Sequence, residues 1–115
     1  MIDLNQFAIQ RHQVNALMRN MRHAGNRNAE EYTALEATLL LIEESRLKAS
    51  LENLTSSLSS AEMRLEVVSS DNGTEDDIDE AIAQVNSLSA LREQAVRDLR
   101  FFQRDHQNAL LRYGK

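Results

Sequence analysis

A chain of 115 residues and 13.1 kDa has room for a single small domain. It contains no proline, cysteine or tryptophan and only three glycines, which excludes loop-rich and all-β folds. The absence of cysteine also excludes disulfides, thiolate metal sites and cysteine nucleophiles. Charged residues make up 27% and apolar residues 42% of the chain, as in folded proteins, and the formal net charge is −5. The composition predicts one all-α domain over residues 1–115.

The first predicted helix covers residues 4–23. Asp3 and Gln6 have the spacing of a capping box, which marks the start of a helix. Apolar side chains then recur on one face, at Leu4, Phe7, Val14, Met18 and Met21. Gly25 is placed to end this helix in the left-handed conformation.

The second predicted helix covers residues 29–69, with Asn28 as its N-cap. Its apolar residues alternate at spacings of mostly three and four, which is typical of a coiled-coil seam: Leu40, Leu47, Leu51, Leu54, Leu58, Ala61, Leu65 and Val68. Glu44 interrupts this seam in its first heptad. The run Leu39–Ile42 places apolar side chains nearly all round the helix, so more than one neighbour must cover it.

The third predicted helix covers residues 75–113 and follows a turn at Asn72 and Gly73. Thr74 is its predicted N-cap, ahead of an acidic first turn. Its inward positions again alternate in threes and fours: Ala81, Val85, Leu88, Arg92, Ala95, Leu99, Phe102, His106, Ala109 and Tyr113.

Helices two and three are matched in length, at roughly 60 Å each from a rise of 1.5 Å per residue. Their short connection makes them antiparallel neighbours. The first helix is half as long, and we expect it to cover the half near residues 29–50 and 93–113. The predicted fold is a long antiparallel helical hairpin, a coiled coil, with the shorter N-terminal helix packed on one half and three helices in total. In this hairpin Glu44 is expected to pair with Arg92 or His106.

Charge is segregated along the chain. Residues 1–29 carry four arginines and one acid, residues 30–80 carry fourteen acids and three bases, and residues 81–115 carry six bases and three acids. In the predicted topology both basic segments end beside the acidic start of helix two, so internal pairing explains the pattern. The alternative is that the acidic turn region around Asp71 faces a basic partner. The bases are scattered singly, so we expect no nucleic-acid binding.

Neither a membrane segment nor a secretory leader is recognisable. The longest apolar run, Leu39–Ile42, is too short to span a bilayer. The first residues lack the basic start and apolar stretch of a signal peptide. We expect no membrane insertion and a cytoplasmic location.

The sequence also lacks the residue patterns of an active site. No histidine follows an acid by three positions, as carboxylate–histidine metal sites in helical bundles require. A phosphate loop, a nucleotide fingerprint and a Ser–His–acid arrangement are likewise not recognisable. We predict a protein that is not an enzyme and holds no cofactor or metal.

Two groups of residues form the predicted protein interface. Because Leu99 and Phe102 face inward, Phe101 points outward, on the face of Arg97, Arg104 and Asn108. An exposed phenylalanine among arginines is typical of an interface anchor, or is a lone surface aromatic. The second group lies in the half of the hairpin that helix one does not reach: Leu51, Leu54, Leu58 and Leu65.

The sequence favours a protein–protein interaction module, that is, a small adaptor, chaperone or assembly factor. Small helical hairpins of this composition occur among bacterial secretion-system chaperones and phage assembly factors, a likeness of class only. The expected partner is a second copy of the chain in a homodimer, and a different protein is a further alternative. The alternative function is a structural or scaffolding subunit that polymerises through its hairpin.

Overall fold

The structure, a computed structural model, describes residues 1–25, 30–71 and 73–113 of the chain. These residues form four helices and no strand: α1 (Asn5–His23), α2 (Glu30–Ser70), α3 (Glu75–Asp105) and α4 (Gln107–Tyr113). The prediction of an all-helical chain is confirmed. The number of helices differs from the expected three, because the last predicted helix is divided.

The division of the last helix occurs at His106. This residue leaves the helical conformation, with φ −116° and ψ 21°, and its N–H donates to the Phe102 carbonyl at 3.1 Å. α4 begins at the next residue, and the Leu110 N–H donates to the His106 carbonyl at 3.0 Å. The rings of Phe102 and His106 are in tilted contact, with centroids 4.6 Å apart and an interplanar angle of 48°. Neither proline nor glycine stands at the break, so no local signal in the sequence marks it.

The two ends of α1 compare differently with their predictions. The Asp3 carboxylate accepts a hydrogen bond from the Asn5 N–H at 2.9 Å, and Leu4 is the N-cap residue, so the predicted capping box does not form. Gly25 has φ 78°, which confirms the predicted left-handed end. The predicted N-cap of the next helix, Asn28, lies outside the described residues.

The start of α3 agrees with its prediction. The Thr74 hydroxyl accepts a hydrogen bond from the Asp77 N–H at 3.2 Å. Just before it, a Cβ at Gly73 would lie 2.5 Å from Val68 Cγ1 and 2.7 Å from the Val68 carbonyl oxygen. Only glycine fits this close approach. Asn72, the other residue of the predicted turn, lies outside the described residues.

α2 and α3 lie side by side in opposite directions. Three side-chain hydrogen bonds join them: Gln103 Nε2 to Glu44 Oε2 at 3.2 Å, Arg92 Nε to Thr55 Oγ1 at 3.0 Å, and Arg64 Nη1 to Gln84 Oε1 at 3.2 Å. The partners descend along α3 as they ascend along α2, which is the antiparallel order. Glu44 is paired with Gln103 and with Lys48 Nζ at 3.3 Å, where the sequence predicted Arg92 or His106.

α1 lies antiparallel to α2. At one end Arg22 Nη1 donates to the Tyr32 hydroxyl at 3.3 Å. At the other end the Asn53 side-chain amide makes two hydrogen bonds to the backbone of Ile2, at 2.8 and 2.9 Å. Within the described ranges no Cα of α1 lies within 8 Å of a Cα of α3 or α4. α1 therefore covers half of α2 as expected, whereas the expected cover over residues 93–113 is not formed.

Few side chains in this arrangement are fully covered. The buried residues among those described are Met18, Tyr32, Ala37, Ala49, Ala61 and Ala81. The accessible surface is 8171 Å², against about 6,400 Å² for a compact monomer of this mass. The longest dimension is 68 Å and the radius of gyration 20.2 Å, against about 13 Å for a compact domain. The expected elongated shape is confirmed, and it leaves much apolar surface uncovered.

The clearest electrostatic contact lies on α2 near α1. Arg46 Nε and Nη2 donate to the two carboxylate oxygens of Glu43. This hydrogen bonding holds the pKa of Glu43 below its ordinary value of 4.5, outweighing the effect of partial burial, and the charges of Arg46 and of Arg11 on α1 act in the same direction. The same contact raises the pKa of Arg46.

Glu43→Gln is expected to lower the free energy of unfolding at pH 7 by less than about 1 kcal/mol, because the pair is partly exposed. Since the folded pKa of Glu43 lies below the unfolded value, its contribution is present above about pH 4.5 and is lost as the pH falls through the folded pKa. Chemical denaturation at pH 7 and pH 3 measures this, with Glu66→Gln as a carboxyl-to-amide control on the same helix. An equal difference at both pH values would contradict the assignment.

Candidate protein interface

Phe101 lies on the outer surface of α3 and is 51% exposed. The Arg104 guanidinium carbon lies 4.9 Å from the centroid of its ring, a cation–π contact. Arg97 Nη2 donates to Gln94 Oε1 at 3.0 Å, one turn earlier on α3. An open hollow of about 310 Å³ is lined by Arg97, Arg100, Phe101 and Arg104. The predicted outward position of Phe101 is confirmed, and its role as an anchor stays a prediction.

Asn108, predicted on the face of Phe101, belongs to a different helix. It lies in α4, beyond the break at His106. Arg104 and Asn108 both line a second hollow of about 320 Å³ at this break. The predicted arginine–phenylalanine face is therefore continuous from Arg97 to Arg104 and changes direction before Asn108.

The four leucines of the second predicted group are all half-buried: Leu51, Leu54, Leu58 and Leu65. Their three-and-four spacing includes Ala61, which is buried. The neighbouring hydrogen bond from Arg92 to Thr55 shows that α3 runs beside this part of α2. The leucines therefore lie along the α3 side of α2, and part of each side chain remains accessible.

Another face of α2 carries its most exposed large apolar residues, and the leucine periodicity does not reveal it. Met63 is 65% and Val67 56% exposed. Met63 follows Leu58 by five positions, which turns it about 140° away at roughly 100° per residue. On α1, Ile9 and Leu17 are 59% and 53% exposed. A search for a second three-and-four series in α2 would have found Met63 and Val67.

The described residues show no enclosed polar site. No polar or charged side chain among them is buried. Nowhere in the described ranges do three His, Cys, Asp or Glu side chains group so as to hold a metal ion. None of the helices that the structure describes combines the length and apolar character needed to cross a membrane.

Comparisons of the chain with protein-family models, with curated proteins and with solved structures give no match.

Phe101→Ala is expected to change the free energy of unfolding by less than about 1 kcal/mol, because the ring lies at the surface. Phe102→Ala is the matched comparison. It is expected to cost roughly 1 to 3 kcal/mol, less than the 3–5 kcal/mol of a fully buried ring, because Phe102 is half-buried. Thermal melts followed by circular dichroism measure both. Equal destabilisation by the two changes would show that the face assignment is rotated.

Proposed function

We propose that this protein is a non-enzymatic interaction module, a small adaptor, chaperone or assembly factor that associates with itself. In this proposal α2 and α3 form an antiparallel coiled-coil hairpin. We call its uncovered half the arm: residues 54–71, which are the end of α2 and the residue after it, and the part of α3 beside them. The single observation that carries the proposal is that α1 covers α2 only as far as Asn53. Beyond this residue the arm consists of two helices only.

Two antiparallel helices bury only one narrow face each, so an arm of this kind is marginal by itself. In the arm only Ala61 and Ala81 are buried, and alanine covers little apolar area. Leu54, Leu58 and Leu65 remain half-buried there. A second copy that covered the arm would bury these side chains further, which favours association.

A different protein is proposed to bind at Phe101. The exposed ring with the Arg104 guanidinium stacked on it resembles the aromatic and arginine anchors of protein interfaces. By analogy of class alone, bacterial secretion-system or phage assembly partners fit such a module. The cytoplasmic location expected from the sequence remains part of this proposal.

The second candidate function is a scaffolding subunit that polymerises through the hairpin. It is favoured by the 68 Å length and by exposed apolar residues on several faces, Leu91 and Leu111 among them. Such faces, if complementary but not self-complementary, build open chains in place of closed dimers.

Leu54→Asp and Leu58→Asp are each expected to lower the association constant at least tenfold, because each buries a charge in the proposed interface. Multi-angle light scattering over a range of concentrations measures the mass. Circular dichroism must show that helicity is kept, since these leucines also lie beside α3, and Ser59→Asp is the exposed control on the same helix. Masses equal to the parent's would place the association elsewhere, and a mass that keeps growing with concentration would favour the scaffold.

A further inference from the structure

α2 has a second contact face, separate from the leucines, and α1 occupies it. Its ends are fixed by the hydrogen bonds of Tyr32 with Arg22 and of Asn53 with Ile2. Between these ends the positions at alternating spacings of three and four are Leu35, Leu39, Ile42, Arg46 and Ala49. Ala49 is only 6% exposed although it lies off the leucine series, as expected if α1 covers it.

The same spacing continues past the end of α1. Beyond Asn53 it runs through four residues that are all exposed, and we call them the open stripe: Ser56, Ser60, Met63 and Val67. Beside the first two of these residues, a groove of about 560 Å³ begins at Met1, where the cover by α1 ends, and runs between α2 and α3. Ser56, Ser60 and Arg64 line it from α2, and Gln84 and Leu88 line it from α3. The open stripe is therefore the unoccupied continuation of a face that already binds a helix.

The lengths of the helices show what could fill this continuation. α1 has 19 residues and α2 has 41, which correspond to about 28 Å and 61 Å. Two helices of the length of α1, placed end to end, therefore match the length of α2. α1 also has a second apolar surface, since Ile9 and Leu17 are exposed on its outer side.

We propose that the open stripe binds the outer face of α1 from a second copy of this chain. The two copies are related by a two-fold axis that passes beside α2 at the level of Asn53, and each α1 lies between its own α2 and the arm of the other copy. Ile9 of each copy then lies near Met63 of the other, and Leu17 near Val67. This inference rests on the proposed self-association, but it places the contact on the open stripe, a different face of α2 from that of Leu54 and Leu58.

Charge selects α1 over a second arm as the occupant. Residues 51–80 carry nine carboxylates and one arginine, so two arms laid on each other would repel. α1 carries three arginines and no acid. In the two-fold arrangement its basic last turn, with Arg22 and His23, approaches the acidic end of the other arm, with Asp71 and Glu75. Opposite charges meet at both ends of the contact.

The area of this contact sets the expected strength. A strip about 28 Å long and 10 Å wide, buried on both surfaces and formed twice, amounts to roughly 1,100 Å². This lies at the lower limit of stable interfaces, about 1,200 Å². We therefore expect a dimer that dissociates on dilution, which makes its constant measurable.

The test uses the full chain in sedimentation velocity over a range of concentrations. Met63→Asp and Ile9→Asp are each expected to weaken dimerisation at least tenfold, whereas Asn86→Asp, which adds the same charge on the exposed outer side of α3 in the arm, leaves it within about twofold. The double variant Ile9→Lys with Met63→Asp is expected to regain most of the association. Within one chain Ile9 lies on α1, beside the half of α2 before Asn53, and Met63 lies on the other half of α2, so the rescue must act between copies.

Each result decides something different. A parent protein that stays monomeric at all concentrations overturns both the proposed self-association and this inference. A dimer unaffected by Met63→Asp and Ile9→Asp overturns this inference alone. Loss on Met63→Asp with no effect of Ile9→Asp shows that the stripe binds something other than α1. Circular dichroism confirms that the variants are folded, and Val67→Asp replaces Met63→Asp if that variant unfolds.

Discussion

The packing of α2 against neighbours on two of its faces is the constraint on which the rest of the structure depends. One face follows the leucine series and lies along α3, and the other runs from Tyr32 to Asn53 beneath α1. A helix with one neighbour needs a single apolar stripe, whereas a central helix needs apolar residues on opposite sides. This requirement explains Leu39–Ile42, where every side chain is half-buried and none is fully exposed. It also explains why α2 is less covered in the arm, where α3 packs against it and α1 does not.

The small buried residues make close packing possible but limit its energy. Among the residues that the structure describes, six are buried and four of these are alanines, which let helix axes approach and contribute little apolar area. The leucines around them are half-buried. Burying the rest of each side chain in a further contact would therefore add favourable transfer free energy. An elongated protein with this distribution gains stability whenever a partner covers its length, because binding to the folded state alone shifts the folding equilibrium. The proposed association would in this sense be coupled to folding through the same side chains.

Features set by local sequence or by periodicity could be predicted from the sequence. Features set by which helices pack together could not. Thr74 and Gly25 were predictable because a cap and a left-handed residue act within one turn. The break at His106 was not, because no proline or glycine marks it. The packing of α1 on α2 was predictable, but the absence of contact between α1 and α3 was not. A single apolar face on α1 can pack against one helix or into a groove between two helices, and the sequence does not distinguish these arrangements. The sequence predicted that Glu44 pairs with a residue of the last helix, but it named Arg92 or His106 in place of Gln103, because an amide gives no charge signal. The predicted leucines form a regular apolar series. Met63 and Val67 belong to a series that also contains serines, so its periodicity is not visible as an apolar pattern.

In the proposed dimer, the separation of charge along the chain determines the relative orientation of the two copies. The apolar positions determine their register. A molecule with an acidic arm at one end and a basic short helix at the other is complementary to a copy of itself only when the copy is reversed. That reversal is the relation that a two-fold axis produces. Charge alone would allow the two copies to slide, because exposed charges are screened within about 8–10 Å at ordinary ionic strength. Apolar side chains act only in contact, so Met63 and Val67 on the arm and Ile9 and Leu17 on α1 would fix the relative position that charge leaves open. The segregation of charge along the chain thus favours a reversed second copy.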